Sequence, residues 1–402
     1  MSGFKCSINK WGDRGRGYHG VDGCFNLRRI PYRCFLQADR YREYGSLSRT
    51  QDAGAECPTE MRNATFGGSG AKILHRELNA RRTSPLSRTG GIPLRTAFIS
   101  HPDCLRHEMA SYHPECPERL RAIEDELAAC GLMDRVTRYD APRASAAQLA
   151  RVHAPEYIAS LEAKIPSSGI VYLDADTAMN RHSFNAALRA AGAVVLATDL
   201  VIEERVTNAF CSVRPPGHHA EHYRAMGFCL INNVAVGVAH ALEAHALERV
   251  AVVDFDVHHG NGTEDIFRND ERVMMVSIFQ HPFYPYSGSA GRSERMVNIP
   301  LAAGSGGEIF RSVVNRYWLP SLEKFSPQMV FVSAGFDAHR DDDLASLNLT
   351  EEDYWWVTRQ IMRLASVHAG NRVVSTLEGG YDLQALGRSV AAHVKALNGL
   401  GN

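Results

Sequence analysis

Residues 249–267, RVAVVDFDVHHGNGTEDIF, contain side chains whose types and spacing could do chemistry. An apolar run ends there in two aspartates and a histidine at alternate positions, Asp254, Asp256 and His258. Burying such groups costs free energy unless a partner or a metal ion compensates them. Alternate residues of a strand face the same side, so an Asp-x-His pair could offer one oxygen and one nitrogen to a single ion.

Three other apolar runs end in polar, glycine-containing segments, namely RPPGHHAEH (214–222), GFDAHRDDD (335–343) and EGGYD (378–382). In open α/β sheets a site forms beyond the carboxyl ends of the strands, so we expect these segments to meet. Asp337 would then join Asp256 and His258 around one ion. Three nitrogen or oxygen ligands with one open position are typical of catalytic zinc.

Other residues in these segments could move or donate protons. A hydrolytic metal site needs a base for water and an acid for the departing group, which His218 and His219 could supply. Tyr381 could donate a hydrogen bond to a developing oxyanion. Each residue also has a structural interpretation, because histidines are often hydrogen-bonded core groups and a tyrosine after Gly-Gly often only packs.

The elements that would position these residues alternate between strand and helix from residue 94 onward. Strands rich in Val, Ile and Leu predict a parallel sheet that is covered on both faces. The expected strands are 94–100, 207–213, 249–257, 273–279, 328–336 and 371–380. The expected helices are 117–132, 184–203, 232–245, 263–269, 307–325, 350–369 and 383–400. We therefore predict a single α/β domain over 94–402.

Residues 1–93 have a different composition, net basic and rich in Arg, Gly and Ser, with no sustained period. We expect a disordered extension or a mis-assigned start; a transit peptide or a nucleic-acid arm is the alternative. The chain lacks an apolar run of the ~20 residues that a membrane span needs, and it has no secretory h-region. Nine cysteines without a CxxC pair favour a reduced, cytoplasmic protein. We expect neither association with a membrane nor direct binding of nucleic acid. Self-association into a homo-oligomer stays open.

Several stretches together resemble the zinc-dependent histone deacetylase family, in particular its class II branch and the bacterial deacetylase-like amidohydrolases. They are HPECPERL (113–120), RPPGHHAEHYRAMGFCLINNVAVG (214–237), VVDFDVHHGNGTEDIF (252–267), SAGFDAHRDDDLASLNLT (333–350) and LEGGYDL (377–383). The resemblance covers about residues 95–395. It implies the arginase–deacetylase fold, a three-layer α/β domain with a central, mostly parallel eight-stranded sheet.

The resemblance also implies a role for individual residues. The Zn²⁺ ligands would be Asp256, His258 and Asp337. The catalytic residues would be His218, His219 and Tyr381, with Asp254 behind His218 and Asn261 behind His219. A structural K⁺ would lie among Asp254, Asp256, His258, Ser277 and Ile278. The substrate tunnel would be lined by Gly227, Phe228, Tyr284 and Leu344.

The implied activity is hydrolysis of acetyl-lysine or a related acylated amine to acetate and a free amine. Acetylpolyamine hydrolysis is the alternative, although polyamine-selective relatives carry Glu at the position of Leu344. A non-catalytic acyl-lysine-binding protein is disfavoured, because all three ligands, both histidines and the tyrosine are present. A two-manganese ureohydrolase would need further carboxylates.

Overall fold

The computed structural model describes residues 95–289 and 293–402, so the prediction for residues 1–93 lies outside the described residues. The described strands are β1 (Thr96–Ser100), β2 (Val136–Asp140), β3 (Ile170–Tyr172), β4 (Ala178–Asn180), β5 (Asn208–Cys211), β6 (Val250–Asp254), β7 (Val273–Gln280), β8 (Met296–Leu301), β9 (Met329–Ala334) and β10 (Val373–Leu377). Eight of them form one sheet in the order β2-β1-β5-β10-β9-β6-β7-β8. All neighbours in that sheet pair in parallel, whereas β3 and β4 form a small antiparallel hairpin.

Helices surround the sheet. They are α1 (Glu118–Ala129), α2 (Ala146–Leu149), α3 (Pro155–Ala163), α4 (Ser183–Ile202), α5 (Asn233–Ala244), α6 (Asn261–Phe267), α7 (Gly307–Val313), α8 (Leu319–Phe325), α9 (Glu351–His368) and α10 (Leu383–Leu397). Two groups pack on the central strands, α4 with α5 and α10 with α1 and α9. This arrangement is the three-layer α/β architecture expected from the alternation of strands and helices.

The expected strands all form, but two strands of the sheet were missed by the strand pattern. Both lie at the edges of the sheet, where polar residues or a proline interrupt the apolar run. β2, with the sequence VTRYD, has three exposed residues among five. β8 contains Pro300, which is exposed and is tolerated because an edge strand does not need every backbone N–H. The single helix expected over 307–325 is also interrupted, because Val314–Trp318 is π-helical before Pro320, which lacks a backbone donor.

Helix α4 is long and apolar enough to cross a membrane by length and composition, and it alone meets that test in the described part of the chain. Its apolar side chains lie in the protein core, however, and 67% of the tested window is buried. A Cβ on Gly237 of α5 would lie 2.4 Å from Val194 Cγ1 of α4. The close approach of the two helices is that of a core pair.

A fully buried charged cluster lies below the carboxyl end of the sheet. Both oxygens of Glu115 accept hydrogen bonds from Arg214, and Oε1 also accepts one from Arg119 at 3.1 Å. Burial alone would raise the pKa of Glu115, but Arg214 and His107 outweigh it and hold that pKa well below its usual range. Arg119 Nε also donates to the carbonyl of Gly380 at 2.6 Å. The cluster thus connects α1 to the segment that follows β10.

Glu115→Gln should lower the free energy of unfolding by about 3–5 kcal/mol, because it leaves two buried guanidinium groups short of a counter-charge. Chemical denaturation of the full chain measures the change. Glu118→Gln is the matched control, since Glu118 pairs with Arg121 at the surface and should contribute about 1 kcal/mol or less. Equal losses in the two variants would contradict the role of the buried cluster.

Candidate active site

The four polar segments meet at one edge of the sheet, as their positions in the sequence predict. They follow β5, β10, β9 and β6, which are consecutive neighbours in the sheet. His218 and His219 come after β5, and Tyr381 comes after β10. Asp337 comes after β9, and Asp254 ends β6.

Asp256, His258 and Asp337 form a group that could hold a metal ion, with ligand atoms within 4.8 Å of one another. His258 Nδ1 lies 3.1 Å from Asp256 Oδ1 and 3.2 Å from Asp337 Oδ2. A tetrahedral Zn²⁺ with bonds of about 2.0–2.2 Å would place neighbouring ligand atoms about 3.3–3.6 Å apart, close to these distances. The donor set and its spacing therefore fit Zn²⁺.

The convergence of these ligands does not come from strand alternation, which was the sequence-based expectation. β6 ends at Asp254, and the following residues turn. The N–H of Asp256 donates to Asp254 Oδ1 at 3.1 Å, and the N–H of His258 donates to Asp256 Oδ1 at 2.8 Å. These successive aspartate turns bring the side chains to one side.

Two glycines make room for the carboxylates. A Cβ on Gly335 would lie 2.0 Å from Asp256 Oδ2, and a Cβ on Gly379 would lie 2.0 Å from Asp337 Oδ2. The N–H of Gly379 also donates to Asp256 Oδ2 at 2.9 Å. The N–H of Val257 donates to Asp337 Oδ1 at 2.9 Å. The main chain thus orients both carboxylates at distances that a larger residue would prevent.

The two adjacent histidines have different partners. His218 Nδ1 lies 3.0 Å from Asp254 Oδ2, and His219 Nδ1 lies 2.7 Å from Asn261 Oδ1. The two ring centroids are 4.1 Å apart. The structure therefore brings Asp254 and Asn261 to the histidines that the resemblance assigned to them.

The different surroundings of the two rings separate their pKa values. Burial disfavours the charged form of both rings. For His218 the carboxylates of Asp256 and Asp254 outweigh burial and hold its pKa well above the usual range. For His219 burial and the neighbouring charges of His218 and His258 act together and hold its pKa well below that range. The pair can therefore hold one charged and one neutral imidazole.

Aromatic rings flank the polar group. The Phe228 ring lies edge-on to Tyr381 at 5.9 Å, and the Tyr284 ring lies edge-on to His219 at 5.3 Å. Phe283, which the sequence reasoning did not select, stacks on His258 at 5.5 Å. The φ angle of Gly227 is +56°, and a Cβ there would lie 2.4 Å from His219 Cδ2. Gly227, Phe228 and Tyr284 are thus all next to the candidate site.

Two buried carboxylates behind the site were missed by the sequence reasoning. Glu378 Oε2 accepts hydrogen bonds from the N–H groups of Gly217 at 2.6 Å and His218 at 3.1 Å. Asp342 Oδ2 accepts from the N–H of Tyr381 at 2.6 Å, and Oδ1 accepts from that of Leu344 at 3.0 Å. Burial raises the pKa of each carboxyl to about 7. For Glu378 the available signal was an acidic residue before Gly-Gly at a strand end.

The residues that the resemblance assigns to a K⁺ site belong to β6, to the segment that follows it and to β7. Asp254 pairs with Ser277 in the register of β6 and β7, and Ile278 follows in β7. All three are buried. A cation among them stays a prediction.

His259, the neighbour of the candidate ligand His258, does not contact the other candidate ligands. Its Nδ1 lies 2.8 Å from Ser287 Oγ and its Nε2 lies 2.8 Å from Glu264 Oε2.

A second group with the spacing of metal ligands consists of Asp199, His240 and His245. Nε2 of each histidine lies within 2.8 Å of Asp199 Oδ1, and Arg151 donates to His240 Nδ1 at 2.9 Å. Because arginine only donates, His240 Nδ1 accepts and Nε2 carries the proton. Metal binding needs an unprotonated nitrogen, so this group is already satisfied by hydrogen bonds.

Comparison with known proteins gives this geometry a context. Residues 113–397 match the Histone deacetylase domain. The chain belongs to the histone deacetylase family. This confirms the family indicated by the sequence motifs.

Individual relatives agree with the assignment to the histone deacetylase family. A probable deacetylase of Archaeoglobus fulgidus is 38% identical over 297 residues, which are 72% of this chain and 82% of the relative. The polyamine deacetylase HDAC10 of Homo sapiens is 35% identical over 331 residues, or 76% and 48% of the two chains. The crystal structure of the HDA15 HD domain is similar with a TM-score of 0.73 and 35% identity, covering 77% of this chain and 90% of that one. The arginase–deacetylase fold is thereby confirmed, and amide hydrolysis is the activity that the family supports.

Gly379→Ala should weaken metal binding about 10- to 100-fold, because the new Cβ would displace the Asp337 carboxylate. Titration of the metal-free protein with Zn²⁺ measures the affinity. Gly306→Ala is the matched control, since a Cβ there meets its nearest neighbour at an ordinary 3.5 Å. Unchanged affinity in Gly379→Ala would contradict the assignment of Asp337 as a ligand.

Proposed function

We propose that this histone deacetylase family member is a zinc-dependent enzyme that removes acetyl groups from acetylated lysine or a related acylated amine. The products would be acetate and the free amine. The observation that carries the proposal is the group formed by Asp256, His258 and Asp337, with two differently paired histidines beside it. Binding alone would not call for such a combination of ligands and proton-transfer groups.

Asp256, His258 and Asp337 would hold the Zn²⁺. When bound, Zn²⁺ would act as a Lewis acid that polarises the amide carbonyl and lowers the pKa of water. The buried residues around it, Asp254 and Ser277 with Ile278, would hold a K⁺ that further balances the carboxylates. This second cation is proposed from the resemblance and from the pairing of β6 with β7.

His219 would be the general base. Its Nδ1 donates to the neutral amide oxygen of Asn261, which leaves the Nε2 lone pair free to accept the proton of the attacking water. His218 instead faces the carboxylate of Asp254, which favours the charged imidazolium. His218 would therefore stabilise negative charge, and the protonated His219 would return its proton to the departing amine.

Tyr381 would donate a hydrogen bond to the oxygen of the reacting carbonyl. Burial raises the pKa of its phenol well above the usual range, so the O–H proton is retained. The Arg119 guanidinium lies 5.0 Å from the ring centroid, and Asp342 accepts from the backbone N–H of Tyr381. Phe228 and Tyr284 would contact the methylene groups of the substrate from two sides.

Acetylpolyamine hydrolysis is the second candidate. It is favoured by the similarity to a protein named polyamine deacetylase and disfavoured by Leu344, where polyamine-selective relatives carry Glu. Comparing kcat/KM for acetyl-lysine peptides and for acetylspermidine distinguishes the two. Cleavage of the polyamine alone would overturn the first choice. We also propose a cytoplasmic location, on the strength of the free cysteines among the described residues.

Tyr381→Phe should lower kcat about 10²- to 10³-fold, because one donor to the oxyanion is removed while the metal ligands remain. Bound zinc and the midpoint of thermal unfolding should not change. Tyr286→Phe, an exposed tyrosine in the loop that carries Tyr284, is the control and should keep full turnover. Normal turnover in Tyr381→Phe would remove this residue from the mechanism.

A further inference from the structure

The orientation of the Asn261 side chain decides what it can do for His219. A carboxamide has an oxygen end that accepts and a nitrogen end that donates, and the two ends have nearly the same shape. Here Oδ1 faces His219 Nδ1 at 2.7 Å, and Nδ2 faces Glu221 Oε1, also at 2.7 Å. Met226 Sδ, a weak acceptor, lies 3.2 Å from Nδ2. Acceptors therefore surround the nitrogen end.

We propose that Glu221 is a positioning residue that locks the Asn261 amide and thereby fixes the tautomer of His219. A carboxylate offers only acceptors, so the nitrogen end of Asn261 must face Glu221 and the oxygen end must face His219. A neutral imidazole carries one N–H, which then lies on Nδ1 and leaves Nε2 unprotonated. With the amide reversed, Nε2 would carry the proton and His219 could not accept another through that atom.

Glu221 is itself held firmly. Its N–H donates to the carbonyl of Arg224 at 2.9 Å, and Arg224 in turn donates to both of its carboxylate oxygens at 2.9 Å. Its carbonyl accepts from Nδ1 of the fully buried His153 at 3.0 Å. His153 Nε2 accepts from the N–H of Asn232 at 2.9 Å, so the proton of that ring lies on Nδ1. Glu221 is thus held in place through both its backbone and its carboxylate.

The tautomer is measured by ¹⁵N NMR of the full-length, zinc-loaded chain labelled in its histidines, with the His219 signals assigned from a His219→Phe spectrum. The wild type should show Nδ1 protonated and Nε2 unprotonated. Glu221→Ala should shift His219 toward the Nε2-protonated form. Glu221→Gln can present either an oxygen or an NH₂ group to Asn261, so it should shift the tautomer less than Glu221→Ala. Arg224→Gln leaves the Glu221 carboxylate in the protein, so it should keep the wild-type protonation of His219. An unaltered tautomer in Glu221→Ala would overturn the proposal.

Kinetics provide an independent test, which rests on the proposed function of His219. Glu221→Ala should lower kcat about tenfold or more with little change in KM, because the base is misprotonated in part of the molecules. In an Asn261→Asp background there is no nitrogen end to orient, so Glu221→Ala should cause no loss there. An equal loss in both backgrounds would mean that Glu221 acts by another route. If the wild type cleaves no acylated amine, the proposed function fails, whereas the NMR result still decides the tautomer.

Discussion

The structure depends on burying three carboxylates at the end of a parallel sheet. Asp254, Asp256 and Asp337 are each at most 1% exposed. Anions removed from water need compensation, and His218, His258 and nearby backbone N–H groups provide part of it. Cations bound at this edge would provide the rest. The glycines beside the carboxylates follow from this constraint, since Gly335 and Gly379 leave the space that makes the burial sterically possible.

The strands and the loops contribute differently to the positions of the site residues. The strands bring the four segments together, and hydrogen bonds from side chains to distant backbone groups then fix each loop. Glu378 holds the backbone of the histidine pair, and Asp342 holds that of Tyr381. Arg119 reaches from α1 to the carbonyl of Gly380. The candidate catalytic side chains are in this way supported by the buried side chains of Glu378, Asp342 and Arg119.

Much of the fold and of the candidate site is predictable from the sequence, for a physical reason. Central strands covered on both faces must be apolar, so the polar residues at their ends stand out. Edge strands such as β2 are partly exposed and lose that contrast. The supporting residues are hard to predict because their partners are remote in the chain: Glu378 binds Gly217, which is 161 positions away. The Glu221 side chain is 24% exposed and pairs with the exposed Arg224, as a surface residue would, and only the structure shows its contact with Asn261.

The position of the bound metal tests the proposed zinc site most directly. Anomalous diffraction recorded above and below the zinc edge, on crystals of the zinc-loaded chain, locates the ion without reference to activity. A strong peak is expected next to Asp256, His258 and Asp337, with no comparable peak at Asp199, His240 and His245. A peak at the second group with none at the first would contradict the central claim.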